Sequence, residues 1–408
     1  MRATAQTMEG LRAGLSDETR DRLKRAAEVI IEAKQRGGKV AAVVGSGPNL
    51  HEGVTTLIAE LIRAGMVDGV TTSSAVVAHE MAGSLERVHR VDGAALGVDP
   101  AILPKDRLFE VSALPPDQLE MIAAEMPLDR DLMERARATE GSTIIKAAGN
   151  LAYPLGLRTE ILAREAQALA QAEGATLEAV VGRGADPMTM IGAAARRGVP
   201  VVVSAPQLIG GGAVGLAIGD AISITQRARL VADLLASADV IIESALALTQ
   251  EIHDGPFETH TGHGIWAAWQ GDRTYSLEGK TLIRIDLDPN LDRAWQQERS
   301  GGAVAEAIAK GLPKTKVTGV PFRMEMSGFC RLEGSLPIVG DIGSVWPVLA
   351  WEVSQALGIE LRFISCRQDL PEGRAMRDWI VEQVRPVDRA AMLEASPSGT
   401  SAPRLSES

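Results

Sequence analysis

The sequence predicts an α/β fold: a doubly wound, mostly parallel sheet with helices on both faces and a small C-terminal extension. Three observations predict it. Short Val/Ile-rich runs recur along the 408 residues, too uniformly apolar for strands with one wet face. Amphipathic stretches of about ten to fifteen residues separate them, as parallel crossovers require. Gly-rich turns follow several runs, at the point where a strand would pass into a helix.

Residues 1–15 carry little periodicity. A helix then begins at Ser16, a suitable N-cap, with Asp17 and Glu18 in the first turn to meet the helix dipole. Leu23, Ala26, Ala27, Ile30 and Ile31 share one face, and Gly37-Gly38 ends the helix. Residues 39–44 read as a strand, followed by Gly45-Ser46-Gly47-Pro48 and a helical stripe of Val54, Leu57, Ile58, Leu61 and Ile62. Further strands are expected at 67–72, 177–181, 199–205, 239–245, 281–287, 336–340 and 359–366, with helices at 159–173 and 222–237. The organisation expected is an N-terminal helical segment (1–35), one large domain (36–300), an extension (301–385) and a disordered tail (386–408), Ser/Pro-rich from Ser396.

The net charge of −11 and the 3% aromatic content argue against nucleic acid or an anionic membrane as partner. Cys330 and Cys366 lie in no C-x-x-C pair and are expected to be reduced thiols. No apolar run reaches membrane-spanning length, and the first residues lack the apolar region of a signal peptide, so a cytoplasmic location is the expectation.

Four segments carry candidate chemistry. The turn at Gly45, Ser46 and Gly47 joins a strand to a helix, where backbone N–H groups face a bound anion; it lacks the third glycine of G-x-G-x-x-G, and a purely structural turn is the alternative. Gly210, Gly211, Gly212 and Gly215 crowd the turn after strand 199–205, which points to close approach by a ligand or by another subunit's backbone. Asp220 beyond it is either an N-cap or a carboxylate for a substrate amine. Three of the six histidines, His253, His260 and His263, fall in one short stretch with Asp254 and Glu258. That composition suits proton transfer or substrate contact; a metal held by Glu258, His260 and His263, or a solvated loop, are the alternatives. Asp286, at the end of strand 281–287, either grips a ribose diol or caps the next turn.

Together these segments resemble the deoxyhypusine synthase-like superfamily. The matching residues are Asn49-Leu50, Gly53, Met66-Val67-Asp68, Thr71-Thr72, Pro200, Pro206, Gly215, Gly219-Asp220 and Gln250-Glu251 with Asp254-Gly255. The resemblance implies a Rossmann-like fold and an NAD site lined by the 45–50 turn with Asn49, by Thr71 and Thr72, and by Glu80. It also implies a homotetramer and an amine substrate oxidised transiently at carbon. That family carries its aminobutyl group on a lysine in a Trp-Gly-Lys context. Here the region reads Trp269-Gln270-Gly271-Asp272, and the next lysine is Lys280. The later half is similar to the NAD-binding domain of archaeal-type ornithine cyclodeaminases, through Ala238-Asp239-Val240-Ile241, Ile285-Asp286-Leu287-Asp288-Pro289 and Leu96-Gly97-Val98-Asp99. Those enzymes, by resemblance, need no covalent lysine.

The function expected is that of an NAD-dependent enzyme acting on a small amine or amino acid by transient oxidation at a C–N bond, ending in deamination or cyclisation. A histidine of the 253–263 stretch would move protons, and Asp220 or Asp254 would hold the ammonium. Aminoalkyl transfer, metal-dependent hydrolysis and non-catalytic nucleotide binding are the alternatives.

Overall fold

The computed structural model describes residues 5–150, 152–244, 276–277, 279–286, 300–312 and 335–394. Helix α1 (Ala5–Ala13) opens the chain, in a stretch whose pattern is too short to announce it; Met8 and Leu11 are its only buried anchors. Helix α2 (Asp17–Gln35) starts where its cap predicts, the Ser16 hydroxyl accepting from the Thr19 N–H at 3.1 Å. Strand β1 (Val40–Val44) leads into α3 (Ser46–His51) and α4 (Val54–Arg63), then β2 (Gly69–Thr72) and α5 (Ser74–Met81).

A second, antiparallel sheet follows, which the sequence pattern did not reveal. It consists of β3 (Leu85–Asp92), β4 (Leu108–Ser112) and, after α6 (Pro116–Glu125) and α7 (Arg130–Ala138), β5 (Gly141–Ala147), in the order β4-β3-β5. These strands carry Glu, Arg, Lys, Ser and His on both faces and so lack a clean alternation.

The chain continues through α8 (Leu155–Glu173), α9 (Leu177–Gly184), α10 (Met190–Arg197), β6 (Val201–Val203), α11 (Ala213–Ala221), α12 (Ile224–Ser237) and β7 (Val240–Ser244). Then come β8 (Thr281–Asp286), α13 (Ala303–Ala309), β9 (Ser335–Val339), α14 (Ile342–Leu357), α15 (Pro371–Gln383) and α16 (Arg389–Leu393).

The main sheet is parallel throughout, in the order β6-β2-β1-β7-β8-β9. Counted within that sheet, the order is third, second, first, fourth, fifth, sixth, the arrangement of a doubly wound dinucleotide-binding fold. Both faces are dry. Val40, Ala42 and Val44 of β1 join one core cluster with α2, α4, α10 and α14, while Ala41 and Val43 join another with Val231, Leu234 and Leu235 of α12. Period-two alternation between two apolar layers is why these strands read as unbroken Val/Ile runs.

Several expectations need correction. Residues 177–181 form helix α9: Leu177, Val180 and Val181 share a helical face, and the Thr176 hydroxyl caps it by accepting from the Ala179 N–H. Residues 359–366 form no strand, with a bend at Arg362. Their backbone bonds side chains instead, Arg362 N–H donating to Glu60 at 2.6 Å and Cys366 N–H to the Met376 sulfur at 3.2 Å. Part of the expected extension belongs to the main sheet, since β9 pairs with β8. The expected disordered tail begins too early: Val387 donates to Met81 O, Asp388 donates to Gly184 O, and α16 packs on α9. Among the described residues no helix is long and apolar enough to cross a membrane. Cys366 is a free, buried thiol that burial pushes up to about 11; Cys330 lies outside the described residues.

Candidate functional site at the carboxyl edge

Because the sheet is parallel, all its strand ends open on one edge. Chain direction diverges between β1 and β7, the topological switch point where open α/β sheets bind ligands. The Gly45–Gly47 turn sits there. Gly45 is extended (φ −146°, ψ 175°) and serves as N-cap of α3 without a side-chain bond. A Cβ placed on Gly47 would meet no atom of the described residues within 4 Å, so among them the turn has open space beside it. The first N–H groups of α3 have no carbonyl within their own helix.

Asn49 does not face that space. It is buried, and both its amide hydrogens are used, on Gly45 O at 2.5 Å and Ser244 O at 2.6 Å. Its oxygen accepts from the Ser244 hydroxyl at 2.9 Å. Asn49 therefore fastens the end of β1 to the end of β7, rather than reaching for a cofactor. Thr72 donates across to Val44 O at 2.5 Å, and the buried Thr71 hydroxyl has no partner among the described residues. Glu80 points away from the edge. It is fully buried and accepts the Met190 and Ile191 N–H groups at 2.8 and 3.1 Å, capping α10, and burial raises it to about 8.

The second glycine turn reaches the same edge from β6, as expected, but the chain itself explains its glycines. A Cβ on Gly211 would lie 2.7 Å from the Ser74 backbone, and one on Gly215 only 1.7 Å from Leu208 O. Gly212 has positive φ (58°). Among the described residues Gly210 has nothing nearer than Ala75 Cβ at 4.0 Å, and Gly212 has nothing within 4 Å, so its positive φ and not crowding is what favours glycine there. The Ser74 hydroxyl pins the loop: it accepts from Gly211 N–H at 2.8 Å and lies 2.7 and 2.6 Å from Gln207 O and Leu208 O. Neither Gly211 nor Gly212 has a free N–H, since the latter donates to Ile209 O.

Asp220 is not at a helix start. It is exposed in the last turn of α11, about 10 Å along the axis from the glycine turn at 1.5 Å per residue, and the cap of the next helix is Ser223. Asp286 is the last residue of β8 and so lies at the carboxyl edge. His253, Asp254, Glu258, His260 and His263 lie outside the described residues.

A second set of groups gathers where α3 and α5 meet the end of β5. His51 ends α3, and its Nδ1 is 3.3 Å from Nη2 of Arg377 on α15. That Nη2 also donates to Ile145 O. His79 of α5 lies with Nδ1 2.6 Å from Ala148 O, a contact that requires the proton on Nδ1 and leaves a lone pair on Nε2. Lys146, between those carbonyls in sequence, donates to Glu110 at 2.7 Å, which also accepts from Arg90 at 2.9 Å. Glu86, the register partner of Lys146, accepts from Gly149 N–H at 2.8 Å.

Burial lowers the pKa of both histidines. Arg377, His79 and Lys146 lower His51 further, and Lys146 adds to the effect on His79, where the Ala148 bond opposes it. Both imidazoles are therefore neutral at pH 7. Burial raises Glu86 to about 7, against the Ser112, Gly149 and Lys146 groups that favour its ionised form. The arrangement offers proton acceptors poised near neutrality in a field of fixed positive charge.

No family model matches this chain, and no curated protein does. Among solved structures, ArgZ, an arginine dihydrolase from the ornithine-ammonia cycle in cyanobacteria, is 13% identical; the likeness covers 82% of this chain and 31% of that one, with a TM-score of 0.38. AgrE, solved in a ternary complex with ornithine and NAD+, is 12% identical over 88% of this chain and 34% of its own, with a TM-score of 0.39. This chain spans about a third of the length of either. Likenesses this distant carry no functional weight.

His51, His79, Lys146 and Arg377 carry no motif in the sequence. One signal was available: His51 and His79 each fall six residues past the N-cap of the helix that follows adjacent strands, Gly45 after β1 and Ser73 after β2. Lys146 and Arg377 join them only through tertiary packing.

Proposed function

We propose that the carboxyl edge holds NAD and that the protein acts on a small amine or amino acid by transient oxidation at a C–N bond, ending in deamination or cyclisation. The observation that carries this reading is the strand order: the Gly45–Gly47 turn stands at the one point where the doubly wound sheet reverses direction. The residues present fit a dinucleotide. The turn has room beside Gly47, α3 presents its first N–H groups there, and the buried Ser204 hydroxyl at the end of β6 has no partner among the described residues. The end of β2 offers Thr72, Ser73 and Ser74 and no acid, so a carboxylate for a ribose diol would come from elsewhere on the edge, where Asp286 stands.

NAD, when bound, would take a hydride from the carbon bearing nitrogen and return it after the nitrogen leaves. The chain's part is to position and to move protons. His79, neutral and fixed by Ala148, holds a lone pair on Nε2 that can accept a proton. Aminoalkyl transfer through Lys280 fits less well: Lys280 immediately precedes β8, at the opposite edge, with its ammonium bound to Ala236 O and Ala238 O at 2.7 and 2.6 Å. The reading is tested by denaturing the purified protein, identifying any released nucleotide by mass, and incubating it with NAD and amino acids while following ammonia. Bound NAD with ammonia release is the expected result. Protein that neither carries nor binds NAD overturns it.

A further inference from the structure

Arg377 poses the question. It is half-buried, its Nε is buried without a partner among the described residues, and no carboxylate pairs with it there. The two carboxylates that influence it are engaged elsewhere, Glu52 by Gln368 at 2.8 Å and Asp378 by Arg87 at 2.6 Å. A half-buried guanidinium without a counter-ion is costly, and the cost falls when an anion completes it. Lys146 brings a second fixed cation, which a single Glu110 must neutralise together with Arg90. His51, whose Nδ1 accepts from Arg377, leaves its N–H on Nε2, and His79, whose Nδ1–H goes to Ala148 O, becomes a donor at Nε2 when it takes up a proton. All four residues are of intermediate exposure.

We propose that His51, His79 and Arg377, in the field of Lys146, bind the carboxylate of a small-molecule substrate. With Nη2 committed to His51 and Ile145 O and Nε buried, Arg377 keeps Nη1 for a charge-assisted bond to one carboxylate oxygen. Glu110, bonded to Lys146, and Glu86, its register partner, lie beside that cation and disfavour a dianion such as phosphate. An anion here also raises the proton affinity of both imidazoles, so binding the substrate prepares the groups that take up its proton. That the carboxylate belongs to the substrate rests on the function proposed above; that the pocket binds a carboxylate does not.

The test uses the full chain labelled with 15N-histidine, with acetate and inorganic phosphate titrated separately in the absence of NAD. His51→Gln and His79→Gln identify the two imidazole signals. The expected result is a saturable shift of both signals by millimolar acetate, weakened about tenfold or more in Arg377→Gln and less in Lys146→Gln, in line with loss of charge-assisted bonds. The second variant keeps the test decisive should the first fail to fold. No saturable shift, equal binding by Arg377→Gln, or tighter binding of phosphate than acetate overturns the proposal. NAD is then added to the same samples. Acetate binding without NAD binding removes the dinucleotide reading alone; NAD binding without acetate binding removes this one alone.

Discussion

Buried polar side chains decide much of the local chemistry here, and most serve the scaffold. Asn49 spends its amide on the ends of β1 and β7, and Glu80 spends its carboxylate on two N–H groups of α10. Either, replaced by an apolar residue, would strand buried partners at a cost of about 1–3 kcal/mol. Glu86 differs in that burial holds it near neutrality, raised from 4.5 to about 7. Between those values the folded state keeps a proton that the unfolded chain has lost. Its contribution is therefore complete below pH 4.5 and is lost as pH rises through about 7. His51 and His79, lowered by burial, act with the opposite sign below pH 6.5, so the test is the difference between proteins: urea unfolding at about pH 5 and about pH 8 should show Glu86→Gln losing less stability, or gaining more, with rising pH than the unaltered protein. Glu80 adds a slope of the same sign that this variant leaves in place.

At the scale of the element, the parallel strands and their capped helices were legible because local signals agree: β1, β2, β7 and β8 are dry on both faces, and Ser16 caps where its neighbours predict. The antiparallel sheet was not legible, since charged residues such as Arg87 and Arg90 of β3 fall on opposite faces and break the apolar alternation. Residues 359–366 have strand composition, yet the Arg362 N–H is taken by Glu60, far away in sequence, and the Cys366 N–H by Met376. The candidate site divides in the same way. The turns near Gly45 and Gly210 do share an edge, as expected, but the glycines of the second turn serve its packing on Ser74. Gly215→Ala should cost about 1–3 kcal/mol or more through overpacking, while Gly210→Ala, facing open space, should be tolerated. Thermal melts of the two variants compare them directly; equal losses would contradict this explanation.

The whole molecule is a parallel sheet whose six strand ends form one edge, with the antiparallel sheet joined to it through α3, α5 and β5. Behind that edge lies a fully buried ion pair, Glu178 with Arg227 at 2.5 Å, whose partners Val203 and Ile218 belong to β6 and α11. Breaking one half of such a pair costs about 3–5 kcal/mol, so it locks the position of the β6 strand end from which the glycine loop departs. The function proposed above puts its ligand at the turn between β1 and α3, on the same edge. The most direct measurement is calorimetric titration of NAD into the protein and into Gly47→Val, whose Cβ would stand beside the turn with no described atom within 4 Å. The prediction is that NAD binds the unaltered protein and that Gly47→Val melts at the same temperature yet binds at least about tenfold more weakly, a loss of about 1.4 kcal/mol. Equal binding by both proteins, or by neither, would contradict it.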